Sequence, residues 1–199
     1  MTDRQVAIVD TGVANIASLE AAFRRHDTDP ELTCDPATVA DVDYLVLPGV
    51  GAFGAGMEML RENDLVDPVF ERIEADRPTL AVCLGLQFLA TDSEETADIA
   101  GLDLVDVSVE RFPPDVRTPQ FGWNRVEAAA DCRMLTDGYA YFANSYRIAD
   151  PPDGWAVARS DYGGSFIAAI ERGPILACQF HPEISGEWGH HLLARWLNY

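Results

Sequence analysis

Residues 79–90, TLAVCLGLQFLA, change character at Cys83. Before it, TLAV is a short apolar run of the kind buried in a sheet. After it, LGLQFLA carries its apolar residues at helical spacing. A cysteine at a strand-to-helix turn is well placed in an open α/β sheet, because ligands bind beyond the carboxyl ends of the strands. The side chain is held out on a tight turn, and the free N–H groups of a helix start favour thiolate over thiol. Gly85 and Ala81 suit that geometry, since an elbow needs small residues where helix and strand approach closely.

The surrounding chain supplies the rest of such a sheet. QVAIVD (5–10) and YLVLPG (44–49) read as further buried strands, and NIASLEAAFRRH (15–26) places Ile16, Leu19 and Phe23 on one helical stripe. A helical stretch is expected over roughly 56–75. Strands alternating with helices predict an α/β fold, an open, mostly parallel sheet with helices on both faces. The second half differs. GLDLVDVSVERF, GWNRVEA, YAYFANSY, GWAVARS, SFIAAIERG and PILACQF are strand-like runs separated by Pro, Gly and Asp, so an added antiparallel portion is expected before a closing helix near 186–197. No repeat or linker divides the chain, and residues 1–199 are read as one domain.

Composition narrows the function classes. Lys and Arg together number 14, every one of them Arg, against 33 Asp and Glu, for a net charge of −19. A nucleic-acid binder needs a cationic face to displace counterions from phosphate, and this chain has little to build one from. The acidic residues are spread along the chain, as on a solvated surface adapted to high salt. No apolar run approaches the roughly 20 residues of a membrane helix, and MTDRQVAIVD (1–10) lacks a signal-peptide layout. A cytoplasmic protein without a membrane contact is expected. Cys34, Cys83, Cys132 and Cys178 are far apart, with no C-x-x-C pair and no histidine at zinc-ligand spacing. Cys34, Cys132 and Cys178 read as inert thiols.

A thiolate nucleophile wants a base, and four histidines are available. His26 lies at a polar helix end and is expected to be solvated, while His190 and His191 sit in the closing helix as surface or packing residues. His181, in QFHPEIS (179–185), follows an apolar strand and so also lies at a carboxyl end. Pro182 disfavours helical geometry at His181, and in an extended chain His181 and Glu183 point the same way. The carboxylate would then orient the imidazole toward the thiol. A third strand-end segment, LPGVGAFGAGM (47–57), brings bare backbone N–H groups close to a ligand. It lacks the Lys and Ser/Thr of a phosphate loop. An oxyanion hole fits better, with Val50 and Leu84 each directing an N–H at a tetrahedral intermediate.

These residues resemble the class I glutamine amidotransferases, which order a nucleophile elbow, a glycine-rich oxyanion segment and His-Pro-Glu in this way. Within the class, PGVGAFGAGM (48–57), CLGLQFL (83–89) followed by DSEE (92–95), FGWN (121–124), YFANSY (141–146) and FHPEISGE (180–187) are similar to the branch of glutaminase subunits serving imidazole glycerol phosphate synthase. The resemblance implies Cys83 as nucleophile with His181 and Glu183 as its partners. It implies that Gly51, Gln87, Glu95, Ser145 and Tyr146 hold glutamine, and Glu95 is suited to its ammonium group. It further implies glutamine hydrolysis through a thioester, no cofactor or metal, and ammonia passed to a TIM-barrel cyclase in a heterodimer for histidine biosynthesis. A subunit serving another synthase, such as anthranilate synthase, would share the triad. Ala81, Asn144 and Ile184 depart from the family pattern, where Gly, His and Lys are common.

Overall fold

Parallel strands buried on both faces read as near-continuous apolar runs, and four segments of this chain fit that description. In the computed structural model, which describes residues 4–11 and 15–199, they are β1 (Val6–Val9), β3 (Tyr44–Gly49), β4 (Thr79–Cys83) and β12 (Ile175–Cys178). A short β2 (Glu31–Thr33) pairs with β1 at the outer edge, giving the parallel order β2-β1-β3-β4-β12. Side chains alternate between two cores. Ala7, Val9, Leu45, Leu47, Ala81 and Ala177 face one, whereas Val6, Ile8, Val46, Leu80, Val82 and Leu176 face the other.

Helices cover both faces. α2 (Pro36–Asp41), α3 (Phe53–Glu62), α4 (Val66–Glu74) and α5 (Leu84–Phe88) bury Val39, Met57, Leu60, Val69, Ile73 and Phe88 in the first core. α1 (Ile16–Arg24) and α6 (Gly186–Leu197) bury Leu19, Phe23, Leu192, Leu193 and Trp196 in the second. β2 and α2 escaped the sequence reading, although Asp35 followed by Pro36 is a helix start: the Asp35 carboxylate accepts from the Thr38 N–H at 3.0 Å.

The helical stretch expected over 56–75 is two helices. Asp64 turns the chain at φ 54°, and Leu65 is fully buried before α4 begins. Pro68 is compatible only with the first turn of a new helix, where its missing N–H costs nothing. The helix expected over 84–90 stops at Phe88, because the carbonyls of Phe88 and Leu89 accept from the N–H groups of Leu102, Leu104 and Val105. The chain then enters β5 (Ala90–Ser93).

Beyond β12 the sheet continues antiparallel through β11 (Ser165–Arg172), β10 (Ala156–Asp161), β7 (Gln120–Ala128) and β8 (Gly138–Asn144), nine strands among the described residues. A second sheet is formed by β5, β6 (Val105–Arg111) and β9 (Tyr146–Ile148). YAYFANSY is therefore not one strand. It crosses between sheets at Ser145, where the Asn144 Nδ2 donates to the Tyr146 carbonyl at 2.9 Å and holds the corner.

Register positions the site. Gly49 pairs with Cys83, and Cys178 pairs with Val82, so the chain leaves β3, β4 and β12 side by side at one edge. At the opposite edge Arg72, 2% exposed, donates to the carbonyls of Val39, Ala40, Asp43 and Pro78 and to Thr79 Oγ1. Burial lowers its pKa to about 10.

Candidate active site

Cys83 ends β4 at φ 57° and ψ −108°, in the left-handed half of backbone space that a side chain enters only where packing compels it. Gly85 makes the turn possible. A Cβ there would lie 2.1 Å from the Leu47 carbonyl oxygen, so any side chain would drive α5 off β3. The Ala81 methyl is fully buried without disturbing this contact. Burial pushes Cys34 up, Cys132 up to about 11, and Cys178 far above the ordinary thiol value.

From β12 the chain runs to His181, whose backbone is extended at φ −102° and ψ 95°. The expected extended geometry ends there. Pro182–Ile184 form a 3-10 turn, compatible with Pro at its first position, and this turn swings Glu183 back under the ring. Glu183 Oε1 lies 2.9 Å from His181 Nδ1, with both side chains nearly buried. The imidazole faces the same cavity as Cys83. Desolvation pushes the His181 pKa down, but hydrogen bonds and charge from Cys83 and Glu183 outweigh it and raise the pKa to about 10. Ser185 braces the turn: its Oγ donates to the His181 carbonyl at 2.6 Å and accepts from the Tyr141 N–H at 2.9 Å. His26, by contrast, is half-buried. Its ring stacks on His190 at 4.0 Å, and burial lowers its pKa.

The segment after β3 passes beside the elbow. Gly49 is needed for space, since a Cβ would come within 2.7 Å of Leu84 Cβ and 3.0 Å of the Gly85 nitrogen. Gly51 is the conformational glycine, at φ 99° with open space around it. Val50, Gly51, Cys83, Leu84, Gln87, Glu95, Ser145, Tyr146 and His181 line one cavity of about 310 Å³, near the small end for ligand pockets. Glu183 stands behind His181, so the structure brings every sequence-predicted site residue to one place. Glu95 reaches the cavity with its Oε2 2.6 Å from the Phe53 N–H, at the start of α3.

Sequence reasoning missed four residues here. Phe121, Ala143 and Asn144 also line the cavity. Gln179, fully buried, reaches Cys83 Sγ with its Nε2 at 3.6 Å. The signal for Gln179 was its spacing: two residues before His181 on a strand continuation, it points to the same side. From the cavity mouth an exposed aromatic face runs outward along the β7–β8 hairpin. Phe121, Trp123 and Tyr139 are 70%, 57% and 60% exposed, and Ile184 on the neighbouring turn is 38% exposed.

A cysteine on a strained strand-to-helix elbow, facing a His–Glu pair from a neighbouring strand end, has a family counterpart. The family model for glutamine amidotransferase class-I matches residues 7–198. The chain belongs to this family. Among class-I glutamine amidotransferase relatives, the imidazole glycerol phosphate synthase subunit HisH of Methanothermobacter thermautotrophicus is 42% identical over 195 residues, 96% of this chain and 97% of the relative. The protein of the same name from Escherichia coli (strain K12) is 39% identical, over 96% and 98% of the two chains. In the chloroplastic imidazole glycerol phosphate synthase hisHF of Arabidopsis thaliana, 37% identical, the match spans 99% of this chain but 34% of that protein. The class-I fold is shared with a crystal structure of a glutamine amidotransferase, at a TM-score of 0.78 and 19% identity over 97% of both chains. PurLQS from Thermotoga maritima has a TM-score of 0.77 at 18% identity, covering 100% of this chain and 99% of that one.

Proposed function

We propose that this chain is the glutaminase subunit of imidazole glycerol phosphate synthase, which hydrolyses glutamine and hands the ammonia to a cyclase subunit. The observation that carries the reading is the convergence of Cys83, His181 and Glu183 on one amino-acid-sized cavity, in a chain whose near full-length relatives bear that synthase's name. Cys83 Sγ attacks the δ-carboxamide carbon of glutamine, and the carbonyl oxygen becomes an oxyanion that accepts from the N–H groups of Val50 and Leu84. His181, protonated and held by Glu183, gives its proton to the departing nitrogen, so ammonia leaves and a glutamyl thioester remains. Water, deprotonated by the same imidazole, attacks the thioester, releasing glutamate and restoring the thiol. Gly51, Gln87, Glu95, Ser145 and Tyr146 hold the amino-acid end, with the Glu95 carboxylate toward the ammonium group.

The partner is a TIM-barrel cyclase. Support comes from the longer plant relative, in which this chain's match occupies about a third of the length, and from the exposed aromatic face at the cavity mouth. Aromatic side chains of that kind are the usual anchors of protein interfaces. Cys83→Ala tests the division of labour. Glutamine-dependent synthesis by the complex should vanish while synthesis from added ammonium salts persists. Loss of both would refute the role given to Cys83.

A further inference from the structure

Behind the cavity wall lies a buried side chain, Gln179, that the reaction scheme does not use. Gln179 has no exposure to solvent, and its backbone N–H is pinned to the Ala168 carbonyl at 2.8 Å. Its Oε1 accepts from Gln87 Nε2 at 2.8 Å, which leaves its Nε2 directed at Cys83 Sγ, 3.6 Å away. Buried amides demand partners at both ends, and here the partners are a cavity-lining glutamine and the sulfur itself. The order of the bonds carries chemical information. A thiolate has only lone pairs to offer, so it selects the amide orientation that presents N–H to sulfur. With the amide reversed, the Gln179 oxygen would oppose the anion.

We propose that Gln179 is a positioning residue of the active site: its Nε2–H donates to the Cys83 sulfur and stabilises the thiolate, and Gln87 holds that donor in place by bonding the other end of the same amide. The inference rests on the reading of Cys83 as the nucleophile. Gln179 reaches the sulfur from the side of the sheet, whereas His181 shares the cavity with it from the catalytic turn. The relay also explains how Gln87 serves a ligand. Its Nε2 is engaged by Gln179 and more weakly by the Tyr146 carbonyl at 3.5 Å, while its Oε1 accepts no hydrogen bond among the described residues. That oxygen remains for a donor on the bound amino acid, so ligand and thiolate are joined through two amides.

The test is alkylation of Cys83 in the full-length chain by iodoacetamide across pH, followed by mass spectrometry of the Cys83 peptide. In Gln179→Met, which keeps length and removes the donor, the midpoint should rise by about one pH unit and the rate below it should fall about tenfold, the usual size for a hydrogen bond to a charged group. Gln87→Met should shift it the same way by less. In Gln179→Met glutaminase kcat should fall in parallel and recover at alkaline pH, with KM little changed. A role in packing alone would lower reactivity without moving the midpoint, and an unmoved midpoint in a folded variant overturns the proposal. If the variant does not fold, the unmodified chain decides. With 15N-labelled glutamine side chains, the Gln179 amide signal should titrate with the Cys83 alkylation midpoint, and a signal indifferent to that midpoint overturns the proposal. Because these readouts use thiolate reactivity, the relay can fail while glutamine hydrolysis stands. Failure of the unmodified chain to react at Cys83 would overturn both.

Discussion

Replacing Glu183 with Gln removes a charge while keeping the atoms that surround it. The amide oxygen introduced by Glu183→Gln can still accept from His181 Nδ1, so the tautomer is retained. What disappears is the attraction between carboxylate and imidazolium across a 2.9 Å contact between two nearly buried side chains. With charge centres about 4 Å apart and an effective dielectric of about 20, that attraction is about 4 kcal/mol, or about three pK units. The His181 pKa, raised to about 10 in the intact site, should fall to about 7–8 in Glu183→Gln, since the contribution from Cys83 remains. The imidazolium is the form that protonates departing ammonia, so activity is lost as pH rises through this pKa. The alkaline limb of kcat against pH should therefore move down by about 2–3 units, measured as glutamate release by the complex with its cyclase. Stability follows the same sign. A folded pKa above the unfolded value of about 6.5 contributes fully below pH 6.5 and is lost as pH climbs through about 10, and the variant should lose most of that contribution. An alkaline limb that stays in place, with activity lowered equally at every pH, would refute the assignment of Glu183 as the charge that holds His181 protonated.

Glutaminase activity of the isolated chain should be weak and rise at least about 10²-fold when cyclase and its nucleotide ligand are bound, the size of one oxyanion donor moving into place. Gly51→Ala, by restricting a residue at φ 99°, should blunt that rise in a stopped-flow or coupled assay. Gly49→Val should instead damage basal activity as well, because its side chain meets Leu84 and Gly85. Equal activity with and without partner would disprove the gating. If Ile184 and the Phe121–Trp123–Tyr139 face form the contact, affinity for the cyclase should hold between 0.1 and 1 M salt, where the Debye length falls to about 3 Å. Trp123→Ala should weaken it about tenfold or more by calorimetry. Far from the site, Arg72→Leu should cost at least about 3 kcal/mol in urea unfolding, because it strands buried carbonyls of Val39, Ala40, Asp43 and Pro78. A change below about 1 kcal/mol would show that water replaces the guanidinium there.

What could be read from the sequence was whatever depends on local chemistry and chain direction. Apolar runs ending at Gly49, Cys83 and Cys178 placed three reactive segments at strand carboxyl ends, and parallel pairing then leaves them no choice but to meet at one edge. Gly85 announced the elbow because only a residue without Cβ tolerates an oxygen 2.1 Å from the ideal Cβ position. Features set by partners distant along the chain were not available in that way. The helix after Cys83 ends at Phe88 because residues 102–105 take its terminal carbonyls, a competition that no window around 84–90 contains. The route from His181 to Glu183 is a 3-10 turn braced by Ser185 at its end, which Tyr141 holds from another strand. Gly49 is a spacer whose side chain is forbidden by Leu84, 35 positions away in the chain. The Gln87–Gln179–Cys83 relay joins residues up to 96 positions apart. Polar side chains are assigned by whichever partner burial leaves within 3–4 Å, and that distance exists only after the sheet has closed around them.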